Sequence, residues 1–326
     1  MNKMKQMFGQ CGGVAWVMIL MLFTTGATTD AVAGELDELL TAVTEDYAKA
    51  YSSPFLNSFG PNVNSNLYST ARIPWGRLVF GIGIKTMGTQ LNETDQTFSL
   101  LMEDVDLGVY DSSLAGQIGD VYMSGPTIFG DTETNGTVQA FVGGVEVFNV
   151  ETIPGLVETT WSPFATPEAY IGGIAGLRLT VRYLPELDLG EFGKTKLFGY
   201  GLQWNANGVL KSLPIDLMAG FFSQELDVGT IYQSEANSYF IAASKKFTLL
   251  TVYTGFAIED SQLDVAYEFI HPTDPNLNSD VSFSVEGLQE SRFTVGVTLN
   301  VFVNLNLEAA FGDKLTTYAA GLMLGF

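Results

Sequence analysis

From residue 168 to the C-terminus, apolar side chains return at every second position. Ile171, Leu177, Leu179, Val181 and Tyr183 oppose Gly172, Gly176, Arg178, Thr180 and Arg182. Phe198, Tyr200, Leu202 and Trp204 oppose Gly199, Gly201, Gln203 and Asn205. The same alternation runs through Ile215–Phe222, Tyr239–Ala243, Arg292–Val301 and Asn304–Phe311. A period of two is a strand signature, and it puts the apolar side chains on one face. The chain is 46% apolar and 16% charged, with 35 glycines. Yet after residue 33 nothing approaches the about 18 consecutive apolar residues of a membrane-crossing helix. Strands with one apolar and one small or polar face would aggregate in water but are what a bilayer requires. The expected fold is all-β: a transmembrane antiparallel barrel of ten to twelve strands.

Residues 1–33 read as a signal peptide: Lys3 and Lys5, the apolar run Val14–Phe23, and Ala31-Val32-Ala33 as the cleavage site. Its removal would take away two lysines, Asp30 and the one cysteine, Cys11, moving the formal charge from −21 to −22. Such an acidic chain argues against nucleic acid as a partner. Residues 34–72 are expected to form an N-terminal helix and plug, with helical spacing over Leu36, Leu39, Leu40, Val43, Tyr47 and Tyr51. Residues 73–326 are expected to form the barrel. Leu78–Lys85 alternates, Thr97–Met102 reads as its partner strand, and 103–167, with only short strand-like pieces such as Val138–Val142 and Val145–Val150, reads as irregular, a further hairpin or a lumen insert.

Residues 250–270 change phase. Leu250, Val252, Phe256 and Ile258 are even; Leu263, Val265, Tyr267 and Phe269 are odd. A hairpin or a bulged single strand would explain this. With the C-terminus in the periplasm, a single strand puts the longer loops outside, so a bulge near Glu259–Gln262 is expected.

The chain ends on a strand, Lys314–Phe326, and Gly321, Leu324 and Phe326 resemble the terminal insertion signal of bacterial outer-membrane barrels; Ala319 stands where that signal carries a polar residue. Pro126–Gly130, Leu177–Glu186, Leu250–Phe256 and the strand pair from Val303 resemble an uncharacterised family of Gram-negative outer-membrane barrel proteins. The N-terminal segment ahead of the first strand is faintly similar to that of long-chain fatty-acid transporters. The resemblance implies an outer-membrane location, with membrane lipid and the barrel-assembly machinery as partners. It implies no activity.

Chemistry-bearing residues are few. His271, the one histidine, lies near Glu268, Asp274 and Asp280, but no nucleophile is placed beside it, and no enzyme is expected. Asp104, Asp106 and Asp111 lack the spacing of a calcium loop, and neither a cofactor nor a metal is expected. Arg178, Arg182, Arg292, Asp264, Glu268 and Glu308 fall on the small or polar face and are expected to face the lumen, as an ion-pair lattice or as a clamp for a solute carboxylate. Two functions stay open: passage of a small or apolar solute, or a structural or surface-binding role without flux. Lumen-face glycines (Gly81, Gly83, Gly199, Gly201, Gly255 and Gly296 among them) leave room for the helix inside the barrel.

Overall fold

In the computed structural model, residues 40, 43–190, 193–210, 213–270 and 278–325 are described. The signal segment, Leu36, Leu39, His271 and Phe326 lie outside them. A helix, α1 (Glu45–Val63), precedes fifteen strands. The barrel strands are β1 (Gly76–Gln90), β6 (Trp161–Ile174), β7 (Leu177–Asp188), β8 (Lys194–Asn205), β9 (Asp216–Val228), β10 (Tyr232–Phe247), β11 (Leu250–Phe269), β12 (Ser279–Glu286), β13 (Ser291–Asn300), β14 (Asn304–Gly312) and β15 (Thr316–Gly325). All pair antiparallel, and β10 pairs with β11 to close the ring. β13 lies along the first half of β11 and β12 along the second, so together they fill one position. The result is a closed barrel of ten strand positions.

The total of ten matches the expectation, but three members differ. Thr97–Met102 belongs to a second sheet, so the missing barrel strand is β6. The run from Ile171 to Tyr183 is not one strand. It is broken by a two-residue turn at Ala175 and Gly176, whose φ values of 53° and 72° match the hairpin turn that suits strand twist. Alanine is an unusual occupant of that turn, which hid it. β12 was not anticipated.

The second sheet, β2 (Thr97–Asp106), β3 (Ile118–Pro126), β4 (Thr137–Val142) and β5 (Val145–Glu151), lies between β1 and β6 in the chain. Residues 103–167 are therefore neither irregular nor a barrel hairpin. Gln90 pairs with Trp161, so the sheet grows as a cap from one end of the barrel. That far end also carries the turn between β14 and β15. The near end carries the end of β15 and the turns at 175–176, 248–249 and 301–303.

β11 is one unbroken strand. Its burial alternates without a slip from Leu250 to Phe269, and its pairing with β10 keeps one register throughout. The expected bulge is absent; the phase change comes from the surroundings. From Leu250 to Ile258 the outward side chains are apolar except Thr254, over about the length of a tilted membrane strand. Beyond that the outward positions are Asp260, Gln262, Asp264, Ala266 and Glu268, while Leu263, Val265, Tyr267 and Phe269 turn inward and are buried. The barrel is apolar-out near its lower end and apolar-in near its upper end. β9 and β10 change at the same level: Leu217, Ala219 and Phe221 give way outward to Ser223, Glu225 and Asp227, and Ile241 and Tyr239 to Asn237, Glu235 and Gln233. Aromatic pairs Trp161–Tyr318 (5.9 Å) and Trp75–Trp204 (6.4 Å) stand at the two edges of the apolar belt, as interface aromatics do.

The upper half encloses a core of the water-soluble kind. Leu226, Val228, Tyr232, Leu263, Val265, Val281 and Phe283 from the wall meet Val43, Tyr47, Tyr51 and Leu56 of the N-terminal segment and Val121, Met123, Val138 and Ala140 of the cap. The helix is longer and later than its expected 36–51, running through Pro54 and Pro61 to Val63.

Candidate functional site

The lumen is the candidate site, and the N-terminal segment fills most of it. α1 enters beside the cap and ends deep inside the barrel; residues 64–75 continue down to the near end. At the top, Tyr47 packs edge-on to Phe98 at 4.9 Å and accepts a 2.7 Å hydrogen bond from the Thr152 hydroxyl. The Tyr51 carbonyl accepts from the Ile128 amide at 3.1 Å, and Tyr267 donates its hydroxyl to the Val43 carbonyl at 2.9 Å. Ser52 and Tyr232 share a hydroxyl–hydroxyl bond. In the same seam, burial and then the Asp46 carboxylate push the Tyr110 phenol up to about 12.

A helix end leaves carbonyls without intrahelical partners and carries partial negative charge. Here the wall supplies the donors. Arg182, which is 0% exposed, gives Nη1 to the Val63 carbonyl at 2.6 Å and Nη2 to those of Ser65 (3.0 Å) and Asn66 (2.8 Å). Its Nε meets Glu168 at 2.9 Å. Gln224 adds a 2.7 Å bond to the Val63 carbonyl. Arg292 donates to the Pro61 carbonyl (3.0 Å) and Ser65 hydroxyl, and forms a two-point ion pair with Glu259 at 2.5 and 2.6 Å. Glu308 accepts from the Asn66 amide at 2.7 Å and the Tyr253 hydroxyl at 2.9 Å. Asn66 itself is left-handed, with φ 56°, a conformation asparagine tolerates better than most residues.

Below the helix the pattern repeats with neutral groups. Gln203 bonds to the Leu67 carbonyl (2.8 Å), Thr298 to that of Ser69 (2.7 Å) and Asn205 to that of Ala71 (2.7 Å). Ser244 accepts from the Ala71 amide at 2.9 Å. Polar wall side chains thus satisfy the backbone of a segment with no regular structure, which a buried irregular stretch requires.

Of the expected lumen residues, Arg178, Arg182, Arg292 and Glu308 point inward and are buried. Asp264 and Glu268 do not. They occupy outward positions on β11 above the belt, where Asp264 accepts from Gln262 and Ser284. The error followed from the assumed bulge, which shifted the phase by one. Lys85, Glu168 and Glu259 belong to the lattice and were not anticipated. The signal for the first two was a charge in the small-residue phase of an apolar strand. Gly321 faces inward against Lys85 and Leu324 outward. Asp104, Asp106 and Asp111 serve local turns: Asp106 accepts from the amides of Gly108 and Gly116, and Asp111 from Ser113. Among the described residues no group of three or more potential metal ligands occurs.

A family model matches residues 4–326. The chain belongs to DUF6588, a family of unknown function. No curated protein matches it. Among solved structures it is similar to a loop-deletion form of OmpT, an outer-membrane protein of Vibrio cholerae, at 9% identity and a TM-score of 0.26, over 77% of this chain and 99% of that one. It is also similar to the anion-selective porin of Comamonas acidovorans, at 11% identity and a TM-score of 0.19, over 77% and 99%.

Proposed function

We propose that the protein is an outer-membrane barrel sealed by its own N-terminal segment, with the cap facing outward, and that it serves a structural or surface-binding role rather than open diffusion. The apolar belt with aromatic edges supports the membrane location, because only a closed barrel or a helix satisfies its backbone in lipid. Three near-end turns of two or three residues, at 175–176, 248–249 and 301–303, and the cap at the opposite end support a periplasmic near end. On this reading residues 1–33 direct export, the terminal strand engages the barrel-assembly machinery, and no reaction is assigned.

One observation carries the sealed state: at each level from Pro61 to Ala71 the plug backbone is hydrogen-bonded to wall side chains. Planar-bilayer recordings test it. The full chain should be silent at voltages where a variant lacking residues 45–72 conducts; stepwise currents from the full chain would overturn the reading. Passage of a small or apolar solute is the second reading. It is supported by the absence of ladder pairing between residues 64–75 and the barrel, which leaves that stretch held by side chains alone. Currents that appear only when Arg182 and Gln224 are both replaced would favour it.

A further inference from the structure

The buried charges of the lumen do not balance. Among the described residues they are Lys85, Arg178, Arg182 and Arg292 against Glu168, Glu259 and Glu308. Arg292 is paired with Glu259, and Arg182 with Glu168. Lys85 reaches Glu168 only at 3.7 Å and otherwise donates to the Asn66 side-chain oxygen at 2.9 Å. Glu308 is held by Asn66 and Tyr253. Arg178 has no carboxylate within ion-pair distance. Its acceptors are neutral and distant: Gln203 at 3.3 Å and the Arg72 carbonyl at 3.4 Å. The guanidinium stacks 4.8 Å from the Tyr170 ring centre, and its Nε is buried without a hydrogen-bond partner. Arginine stays charged in proteins, and an uncompensated buried charge is costly.

A cavity of about 60 Å³ lies beside these groups, toward the near end. Lys85, Arg178, Glu168, Tyr170, Thr70 and Asn304 help to line it. On that measure about 10–15 Å³ holds one water, so the cavity has room for a small ion together with a few waters. We propose that this cavity binds a small monovalent anion of the halide class, held between the Arg178 guanidinium and the Lys85 ammonium. The anion completes the charge balance of the lattice and gives the orphaned Nε an acceptor. Thr70, which also lines the cavity, ties the site to the plug. The inference does not depend on whether the barrel conducts.

Chloride NMR of the full chain folded in detergent micelles tests it, in a sulfate buffer with bromide as the competitor. Wild type should show excess chloride line broadening that saturates and is displaced by bromide. In Arg178→Gln the binding should weaken by about tenfold or more, the loss of one charged contact. Lys196→Gln, an exposed outward position on β8, should leave it unchanged. Broadening absent from wild type, or equal in folded Arg178→Gln, overturns the proposal. If that variant does not fold, crystals of the wild type grown in sodium bromide decide: an anomalous peak between Arg178 and Lys85 supports the site, and none there overturns it.

Discussion

At the scale of single residues, the lumen-face glycines do something different from what the alternation suggested. A Cβ added at Gly201 would meet the Phe222 ring at 2.3 Å, at Gly220 the Phe240 ring at 2.7 Å, and at Gly296 the Tyr253 ring at 2.1 Å. Each is the glycine's direct cross-strand partner. Wall aromatics lie flat over neighbouring glycines, a pairing that stabilises sheet positions with no side chain of their own. Gly255 instead yields to the plug, through Tyr68, and Gly321 comes near Asn66 of the plug. The sequence displayed the glycines but not their partners, because alternation fixes the face and leaves the register open. Gly296→Ala should therefore cost about 1–3 kcal/mol by overpacking, since Tyr253 also holds Glu308. Gly88→Ala, whose Cβ would meet Trp161 no closer than 3.5 Å, should be near neutral. Urea midpoints in micelles would compare them, and equal values would refute the account. Arg182→Met removes the donors to three plug carbonyls and strips Glu168 of its main partner. A broken buried ion pair costs about 3–5 kcal/mol, and the same titration should read a loss of that size.

At the scale of elements, β11 and α1 were half legible. That 250–270 is a single strand followed from loop lengths. That it carries no bulge did not, because the argument assumed one environment along its length. A strand that leaves lipid for water must exchange faces while its backbone stays regular, and a two-period pattern reads that exchange as a slip. The helix was placed inside the barrel correctly, but its bounds were missed. Proline within a helix removes a donor and costs about 3 kcal/mol, yet the helix runs through Pro54 and Pro61. Within the lumen Arg292 takes the Pro61 carbonyl in the helix's last turn, and Ser52, Ser58 and Asn62 are buried. Single cysteines locate these elements. With the cap outward, Gln262→Cys should react with a membrane-impermeant maleimide on intact cells and Val252→Cys should not. Lys49→Cys, partly exposed beside Glu45, should react from the outside as well. Labelling of Lys49→Cys only after permeabilisation would reverse the direction in which the plug is threaded.

At the scale of the whole molecule, the protein is one barrel with two interiors: a polar, charge-bonded lumen at the level of the belt and an apolar core above it, closed by the cap. The barrel was readable because lipid demands a strict alternation; the cap was not, because its short strands are half exposed and bear no such demand. Val138–Val142 and Val145–Val150 did stand out as strand-like, and they are β4 and β5. The cap's attachment suggests how separable it is. Gln90 pairs with Trp161, and the Leu91 amide donates to the Thr160 carbonyl at 2.9 Å, so the two ends of the insert are already neighbours in a ladder. Replacing residues 93–158 with a short turn should leave all ten strand positions paired. The variant should then reach the membrane and keep heat-modifiable migration on gels. What it loses is the cover over Tyr47 and Tyr51, whose partners Phe98, Thr152 and Ile128 lie in the deleted stretch. Protease added from the cap side should cut near Tyr51 in the variant and spare wild type, while the segment around Asn66 stays protected by the wall. If the variant fails to assemble although its strands are intact, the cap is part of the barrel's own folding unit.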